Sequence, residues 1–257
     1  MFGKNPVTKP SSDTRLPVRE IFPTIQGEGP FAGHPAIFVR VGGCPLRCHF
    51  CDTDFDLDKS EKLSPEDLVE KIRMLSAETG RIGLVVITGG EPMLYQSSLV
   101  LVMRLLIEGE GFIVQVETSG ALEIGPSAFE VFQTAKESDR LTVVCSPKTS
   151  RVPERMMSLV THWKYIIDAE DDFSPVDGLP MSSTQSTARK EIIARPPERV
   201  LLMTPDKIFV QPMMRYYTTA MTVCGDAQER NTKQCVDLAL KFGYRVSLQQ
   251  HKILNVR

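Results

Sequence analysis

Three cysteines in the first quarter of the chain have a spacing typical of metal-binding loops. Cys44, Cys48 and Cys51 stand at C-x3-C-x2-C spacing, directly after the apolar run at residues 36–41, and no fourth cysteine follows at short range. A cubane iron–sulfur cluster usually takes four thiolates. Three thiolates therefore leave one iron with an open coordination position, which is where a bound metal performs chemistry rather than holding a fold. The spacing indicates a metalloenzyme.

Zinc is the alternative occupant of this loop. Structural zinc sites usually have four ligands in two separated pairs. His49 as a fourth ligand would lie between two cysteine ligands, where simultaneous reach is awkward. An iron–sulfur cluster is therefore favoured. A non-enzymatic iron–sulfur or zinc module, such as an electron carrier, stays open on the cysteines alone.

Length and composition restrict the class of protein. The chain has 257 residues, with 30 basic and 32 acidic side chains and a formal net charge of -2. This suits one large α/β domain and provides no basic excess for nucleic acid. The sequence shows neither a signal-peptide core nor an apolar run of the roughly 18 residues that cross a bilayer. We expect a cytoplasmic protein with a small-molecule substrate and no nucleic-acid or membrane partner.

Short apolar runs alternate with amphipathic segments, which is the pattern of repeated strand–helix units. Continuous apolar runs are expected for strands buried on both faces of a parallel sheet. The predicted strands are 36–41, 83–88, 112–117, 141–145, 163–167, 207–211 and 244–248. One helix is predicted to begin after the capping residue Ser64. Two more are predicted at 96–107 and 230–242. The fold class is α/β, either a doubly wound sheet or a (β/α) barrel, with the site at the carboxyl ends of the strands.

Distinctive motifs follow the first four of these strands. The cysteine loop follows the first strand, and Thr-Gly-Gly-Glu-Pro at 88–92 follows the second. Glu-Thr-Ser-Gly at 117–120 and Ser-Pro-Lys at 146–148 follow the third and fourth. The paired glycines allow a close backbone approach, and Glu91 offers a carboxylate to an ammonium group. Because parallel strands end at one edge of a sheet, we expect these motifs to form one site.

The cysteine spacing, Phe50 before the last cysteine and the glycine turn at 88–92 together resemble the radical S-adenosylmethionine (SAM) superfamily. In that superfamily the glycine turn holds the amino group of SAM, and the methionine end of SAM occupies the open iron. The resemblance implies a [4Fe–4S] cluster and SAM as cofactors. It also implies a partial (β/α)6-type barrel, here with an extended insertion before the last strand–helix units.

A longer string narrows the resemblance. Residues 21–29 (Ile-Phe-Pro-Thr-Ile-Gln-Gly-Glu-Gly) lead into the cysteine loop, which ends in Cys-Asp-Thr at 51–53. With the later pieces at 211–213 and 247–252, this string is similar to the 7-carboxy-7-deazaguanine synthase family from about residue 17 onward.

Two stretches match nothing in the family pattern, and they define the expected domain organisation. We expect a flexible N-terminal arm at 1–17 and a single radical SAM domain at 18–257, with an insertion or loop at 169–199. The resemblance further implies a homodimer and an external one-electron reductant of the flavodoxin type.

The activity implied by the resemblance is a radical ring contraction by a carbon–nitrogen lyase. Reductive cleavage of SAM gives a 5′-deoxyadenosyl radical, which takes a hydrogen atom from 6-carboxy-5,6,7,8-tetrahydropterin. The substrate radical rearranges, loses ammonia and gives 7-carboxy-7-deazaguanine, the core of queuosine-type nucleosides. Mg²⁺ is the third implied cofactor. Another radical SAM enzyme, such as a glycyl-radical activase, is the alternative.

The resemblance also assigns a role to each matching position. Cluster ligation falls to Cys44, Cys48 and Cys51, and Mg²⁺ binding falls to the hydroxyl of Thr53. The positions implied for SAM are Phe50, Asp52, Gly90, Ser146, Pro147, Lys148, Gln211, Pro212, Met213 and Met214. The positions implied for the pterin are Ile25, Gln26, Gly27, Arg40, Thr88 and Arg257. No catalytic side chain is expected, because the cofactor carries the radical.

Three of these roles have a plain structural alternative. Arg40 presents a planar fork that suits a carboxylate, and the alternative is an ion pair at the end of a strand. Gln26 has the donors and acceptors to bind a pterin edge, and the alternative is an ordinary loop amide. Thr53 needs water and substrate oxygens to complete a magnesium site, and otherwise bonds to backbone in a turn.

Overall fold

One nine-stranded sheet organises the described part of the chain. The computed structural model describes residues 6–185, 191–215 and 225–256. The strands are β1 (Leu16–Ile25), β2 (Pro35–Val41), β3 (Glu61–Leu63), β4 (Leu84–Gly89), β5 (Ile113–Thr118), β6 (Leu141–Cys145), β7 (His162–Ile167), β8 (Ile208–Pro212) and β9 (Arg245–Val246). The helices are α1 (Pro65–Glu78), α2 (Gln96–Met103), α3 (Pro126–Glu137), α4 (Glu154–Leu159), α5 (Glu198–Met203), α6 (Gly225–Phe242) and α7 (Gln250–Ile253). Over these ranges, no helix combines the length and apolar character needed to cross a membrane.

Most of the sheet is parallel. The strand order is β3-β1-β2-β4-β5-β6-β7-β8-β9. Every pair from β2 to β9 is parallel, whereas β1 is antiparallel to both of its neighbours. The strands β2 and β4 to β8 are each followed by one of the helices α1 to α6, which makes six strand–helix units. The fold is an open, partial (β/α)6 barrel, as the sequence predicts.

Six of the predicted strands agree with β2 and β4 to β8 within one residue at either end. They are recognisable because both faces of these strands are covered. Val85, Val86 and Ile87 of β4, for example, have no exposed surface, and such strands are apolar throughout. The seventh predicted strand, 244–248, is shorter in the structure, where β9 has two residues.

The sequence does not predict β1, which extends the sheet beyond the parallel strands. Its register shifts between Val18 and Glu20, and the strand also contains Pro17 and Pro23. A register shift breaks the alternation of apolar and polar residues that identifies a half-buried strand. This matters for the site, because the end of β1 carries Ile25.

Ser64 starts α1 as predicted. Its Oγ accepts a hydrogen bond from the Asp67 N–H at 3.1 Å, and Pro65 occupies the first turn. Leu68 and Ile72 are fully buried, and each stabilises the fold by roughly 1.5–3 kcal/mol. Because α1 follows the cysteine loop and packs against β1 and β2, it anchors the far end of that loop to the sheet.

The N-terminal arm contacts the cysteine loop. Val7 pairs with Cys44 through a parallel bridge, and the Thr8 N–H donates to the Cys44 carbonyl oxygen at 2.9 Å. The boundary that the sequence suggests at residue 17 falls inside β1, which begins at Leu16. The described part of the arm therefore lies beside the loop that carries the expected metal ligands.

The described part of the segment 169–199 packs against the sheet. Arg195 forms an ion pair with Asp177 at 2.8 Å. The buried Tyr165 of β7 donates its hydroxyl proton to the Ala194 carbonyl oxygen at 2.7 Å. The segment leads from β7 to α5, the helix of the same strand–helix unit, and its described residues add no strand to the sheet.

A buried amide joins α6 to the segments that follow β7 and β8. Asn231 is 1% exposed. Its Nδ2 donates to the Met213 carbonyl oxygen at 2.8 Å, and its Oδ1 accepts the Ala169 N–H at 2.7 Å. The amide thus satisfies one backbone acceptor and one backbone donor at the carboxyl edge of the sheet, and it fixes the segment that begins at Gln211.

We predict that Asn231→Leu, a change of similar size, lowers the free energy of unfolding by about 2–4 kcal/mol. The substitution leaves a buried carbonyl and a buried N–H without partners, each of which costs about 1–3 kcal/mol. Urea denaturation measures this loss. Lys233→Ala, on the exposed surface of the same helix, is the control and should change the stability by less than about 0.5 kcal/mol. Equal stability of the two variants would contradict the role of the amide.

Candidate active site

Two adjoining cavities open at the carboxyl edge of the parallel strands. The first, of about 250 Å³, contains the three cysteines; the second, of about 380 Å³, contains residues of β1 and β2. We call them the cysteine cavity and the strand cavity. The residues that line both are Glu28, Phe50, Asp52, Thr53, Thr88, Gly89, Glu117 and Gln249. A ligand in one cavity therefore lies next to a ligand in the other.

Backbone contacts fix the cysteine loop to the turn after β4. The Gly90 N–H donates to the Val41 carbonyl oxygen and the Glu91 N–H donates to the Gly43 carbonyl oxygen, both at 2.9 Å. A Cβ atom on Gly90 would overlap the Gly43 oxygen and lie 2.6 Å from its carbonyl carbon. Glycine is therefore required at position 90 by the close approach of two backbones.

The three cysteines are free thiols that line the cysteine cavity. Burial raises the pKa of Cys44 to about 12, and burial also raises the pKa of Cys51. Within the described ranges, no group of three His, Cys, Asp or Glu side chains is arranged to hold a single metal ion. A cubane cluster is held by thiolates on separate iron atoms, so three sulfurs along one cavity fit such a cluster. His49, the alternative zinc ligand, has its Nδ1 atom 3.3 Å from the Thr184 carbonyl oxygen.

Glu91 does not face the cavity as the sequence suggests. Its carboxylate accepts hydrogen bonds from the Met93 N–H at 3.1 Å, the Thr118 hydroxyl at 2.7 Å and the Ser119 N–H at 2.8 Å. The side chain is 1% exposed. In this structure Glu91 joins the turn after β4 to the motif after β5, and its binding of an ammonium group stays a prediction.

The SAM positions inferred from the sequence converge on the cysteine cavity. Those that line it are Phe50, Asp52, Gly90, Ser146, Lys148, Gln211, Pro212, Met213 and Met214. Pro147 instead lines a neighbouring cavity of about 580 Å³. Lys148 Nζ donates to the Ser146 carbonyl oxygen at 3.0 Å and lies 5.6 Å from the centre of the Phe50 ring, while burial lowers its pKa. Lys148 therefore connects the motif after β6 to the cysteine loop.

The pterin positions inferred from the sequence lie mostly in the strand cavity. Ile25, Gln26, Arg40 and Thr88 line it. Gly27 does not. Its carbonyl oxygen accepts the Gln250 N–H at 3.1 Å, and a Cβ atom on it would lie 2.8 Å from the His251 backbone nitrogen, so this glycine lets the C-terminal segment approach. Arg257 lies outside the described residues.

Glu117, at the end of β5, organises the boundary between the cavities. Its carboxylate accepts the Gln26 amide at 3.1 Å, the Thr88 hydroxyl at 3.0 Å and the Gln115 amide at 2.9 Å. Gln26 is 1% exposed, and its Oε1 also accepts the Glu28 N–H at 3.1 Å. The alternative of an ordinary solvated loop amide therefore does not describe Gln26, which belongs to a buried network.

Arg40 both lines a cavity and forms an ion pair at the end of a strand, the two roles predicted for it from the sequence. It lines the strand cavity, and its Nη1 forms an ion pair with Glu20 at 3.2 Å. Its guanidinium also lies 5.2 Å from the centre of the Phe22 ring, a favourable cation–π distance. The strand-end ion pair is thus present, and it orients the planar fork at the wall of the cavity.

A nearly buried ion pair joins Glu28, which lines both cavities, to Lys164, which lines the cysteine cavity. Their side chains are 13% and 9% exposed, and Gln249 donates to the second oxygen of Glu28 at 2.8 Å. Burial raises the pKa of Glu28, but the charge and hydrogen bond of Lys164 together with the hydrogen bond from Gln249 outweigh burial and lower this pKa below the ordinary value of 4.5. Burial lowers the pKa of Lys164, but the charges of Glu28 and Glu117 together with the hydrogen bond to Glu28 raise this pKa above the ordinary value of 10.5. Both groups therefore stay charged near neutral pH.

The C-terminal segment supplies further site residues that the sequence reasoning missed. Gln249 lines both cavities, and His251 and Lys252 line the strand cavity. Lys252 forms an ion pair with Asp52 at 3.0 Å, and burial lowers the pKa of His251. The segment thus reaches the cysteine loop directly.

A signal for one missed residue exists in the sequence. Lys164 is a charge in the middle of an apolar strand (Trp-Lys-Tyr-Ile-Ile), and a buried charge in such a strand needs a partner. The partner of Lys164 is Glu28, which lies 136 residues earlier in the chain, so only the structure identifies this pair.

Comparisons with known proteins agree with this geometry. Residues 38–149 match the model of the Radical SAM superfamily. The open barrel and the cysteine cavity are those of a radical SAM enzyme. The chain is 39% identical to the 7-carboxy-7-deazaguanine synthase of Rhodospirillum rubrum, with full coverage of both chains, and 34% identical to that of Rickettsia prowazekii, covering 100% of this chain and 96% of that one. A crystal structure of QueE from Escherichia coli aligns with a TM-score of 0.59 at 25% identity, covering 91% of this chain and 93% of that one. The chain belongs to the 7-carboxy-7-deazaguanine synthase family.

We predict that Gly90→Ala displaces the cysteine loop from the turn after β4. The added Cβ overlaps backbone atoms of Gly43, so the loop must move, with a loss of stability of about 1–3 kcal/mol. The iron content after cluster reconstitution should fall. Gly83→Ala is the matched control, because a Cβ there meets nothing within 4 Å. Full iron content in Gly90→Ala would show that the backbone contact does not position the loop.

We predict that Glu28→Gln lowers the stability by about 3–5 kcal/mol, because Lys164 then keeps a nearly buried charge without its partner. Adding Lys164→Met should restore part of the loss, and a double-mutant cycle in urea measures the coupling.

The lowered pKa of Glu28 and the raised pKa of Lys164 set the pH dependence of this coupling. The carboxyl stabilises the fold above its ordinary pKa and the amine stabilises it below its ordinary pKa. The coupling should therefore stay constant from about pH 5 to about pH 10 and decrease outside that range. A strong change of the coupling near neutrality would contradict the assigned charges.

Proposed function

We propose that this protein catalyses the radical ring contraction of 6-carboxy-5,6,7,8-tetrahydropterin to 7-carboxy-7-deazaguanine, with loss of ammonia. The observation that carries the proposal is the junction of the two cavities. Thr53, Thr88 and Phe50 line both the cavity that contains the cysteines and the cavity that contains Arg40. A substrate in the strand cavity therefore lies beside the cofactors.

The family uses a [4Fe–4S] cluster, SAM and Mg²⁺. When bound, these groups supply the hydrogen-abstracting radical and a divalent charge beside the substrate. Cys44, Cys48 and Cys51 would hold the cluster through their sulfurs. SAM would bind next to the cluster, against the wall formed by Ser146, Lys148, Gly90 and the segment beginning at Gln211. Thr53 would offer its hydroxyl to Mg²⁺.

The strand cavity provides the groups that a carboxylated pterin requires. The bond of Arg40 to Glu20 uses Nη1, and the rest of the guanidinium fork would bind the substrate carboxylate. Glu117 holds Gln26 and Thr88 in fixed positions, so these polar groups would face the pterin without reorganisation. The nearly buried Glu28–Lys164 pair forms part of the wall beside this site.

Three further parts of the proposal concern the surroundings of the enzyme. An external one-electron reductant of the flavodoxin type would reduce the cluster, and the protein would act in the cytoplasm as a homodimer. The free cysteines support a reducing compartment, because thiols persist there without forming disulfides.

The proposed function is tested by turnover of the reconstituted protein with SAM, dithionite, Mg²⁺ and the carboxytetrahydropterin. The deazapurine product should be detected by its mass. Cleavage of SAM to deoxyadenosine without any deazapurine would favour another radical SAM activity, such as that of a glycyl-radical activase.

We predict that Arg40→Lys lowers kcat/KM for the pterin by about tenfold to a hundredfold. Lysine keeps the charge but loses the planar fork, and one hydrogen bond to a charged group contributes about 1.5–3 kcal/mol. Uncoupled SAM cleavage, measured as deoxyadenosine formed without pterin, should stay within about twofold of wild type. An equal loss in both assays would indicate damage to the cofactor site instead of a carboxylate contact.

A further inference from the structure

The segment that matches nothing in the family pattern reaches one of the three cysteines. Gln185 Nε2 lies 3.2 Å from Cys48 Sγ, and the Thr184 hydroxyl lies 3.5 Å from the same sulfur. The backbones of Cys48 and Gln185 also form an antiparallel bridge. Gln185 is therefore a hydrogen-bond donor to Cys48 Sγ from outside its own loop, whereas the single hydroxyl proton of Thr184 has a second acceptor, the Lys148 carbonyl oxygen at 3.3 Å.

The chemistry of its second contact fixes the orientation of the Gln185 amide. Its Oε1 accepts the Arg47 N–H at 3.0 Å. A backbone N–H can only be bonded by the oxygen of the amide, so the nitrogen must point toward the sulfur. The contact with Cys48 is thus an N–H donor directed at sulfur.

Further hydrogen bonds, made by Ser183, hold the segment that carries these donors. Ser183 is 3% exposed, and its hydroxyl donates to the Lys148 carbonyl oxygen at 2.8 Å. The Ser183 N–H donates to the Glu191 carbonyl oxygen at 2.8 Å. The segment is therefore hydrogen-bonded both to the motif after β6 and to the cysteine loop, and these bonds fix its position.

We propose that Gln185, with a smaller contribution from Thr184, is a positioning residue that sets the reduction potential of the iron–sulfur cluster. The inference rests on the proposed role of Cys48 as a cluster ligand. One-electron reduction increases the negative charge shared by the cluster and its sulfurs. Hydrogen bonds to those sulfurs stabilise the reduced form and so raise the midpoint potential. The donors would make the cluster easier to reduce before SAM is cleaved.

The test is a redox titration of the reconstituted holoenzyme, monitored by the electron paramagnetic resonance signal of the reduced cluster. Gln185→Met removes the donor while keeping length and neutrality, and it should lower the midpoint potential. Thr184→Val removes the second donor and should lower it less. Ser182→Ala is the matched control from the same segment, since Ser182 lines the neighbouring cavity, and it should leave the potential unchanged.

Iron content separates the possible outcomes. A midpoint potential in Gln185→Met equal to wild type, at equal iron content, would overturn the proposal, and so would an equal decrease in Ser182→Ala. If Gln185→Met binds too little iron to titrate, an unchanged potential in Thr184→Val overturns the proposal and a lowered one supports it. Cys48→Ala tests the underlying assignment separately, because a variant that keeps a complete cluster would show that Cys48 is not a ligand.

Discussion

The backbones of Gly43 and Gly90 lie closer together than any side chain would allow, and the site depends on this contact. The Glu91 N–H bonds to the Gly43 carbonyl oxygen, so the loop after β2 is fastened to the turn after β4 by main chain alone. Glu91 then fastens the same turn to the motif after β5 through Thr118 and Ser119. Three adjacent strand ends are thereby joined into one rigid edge, and the cysteines are carried on it.

Charged side chains fix the other walls of the two cavities. Glu28 and Lys164 neutralise each other in the wall of the cysteine cavity, and Glu117 accepts hydrogen bonds from amide and hydroxyl groups at the boundary between the two cavities. A buried carboxylate that accepts several hydrogen bonds keeps its partners in fixed orientations. The polar groups of the strand cavity are therefore set before a ligand arrives, whereas Arg40 retains a half-exposed position at the rim.

The parallel strands and their terminal motifs are predictable because burial on both faces makes the strands apolar throughout, and because parallel strands must end together. β1 is not predictable in this way, since its bulge and prolines disrupt the alternating pattern. The partners of Glu91 and Lys164 are also hidden from the sequence. These partners depend on which strand ends become neighbours in the sheet. No local sequence pattern indicates that Thr118 lies beside Glu91 or that Glu28 lies beside Lys164.

Both described ends of the chain come to the same edge of the sheet. Val7 pairs with Cys44, and Lys252 pairs with Asp52. The residues around Val7 and Lys252 therefore lie next to the cysteine loop. The turn between α3 and β6 at Asp139 is exposed and lies at the amino ends of the strands. A label attached at that turn would therefore sit away from the cysteine loop, whereas a label beside Val7 or Lys252 would sit next to it.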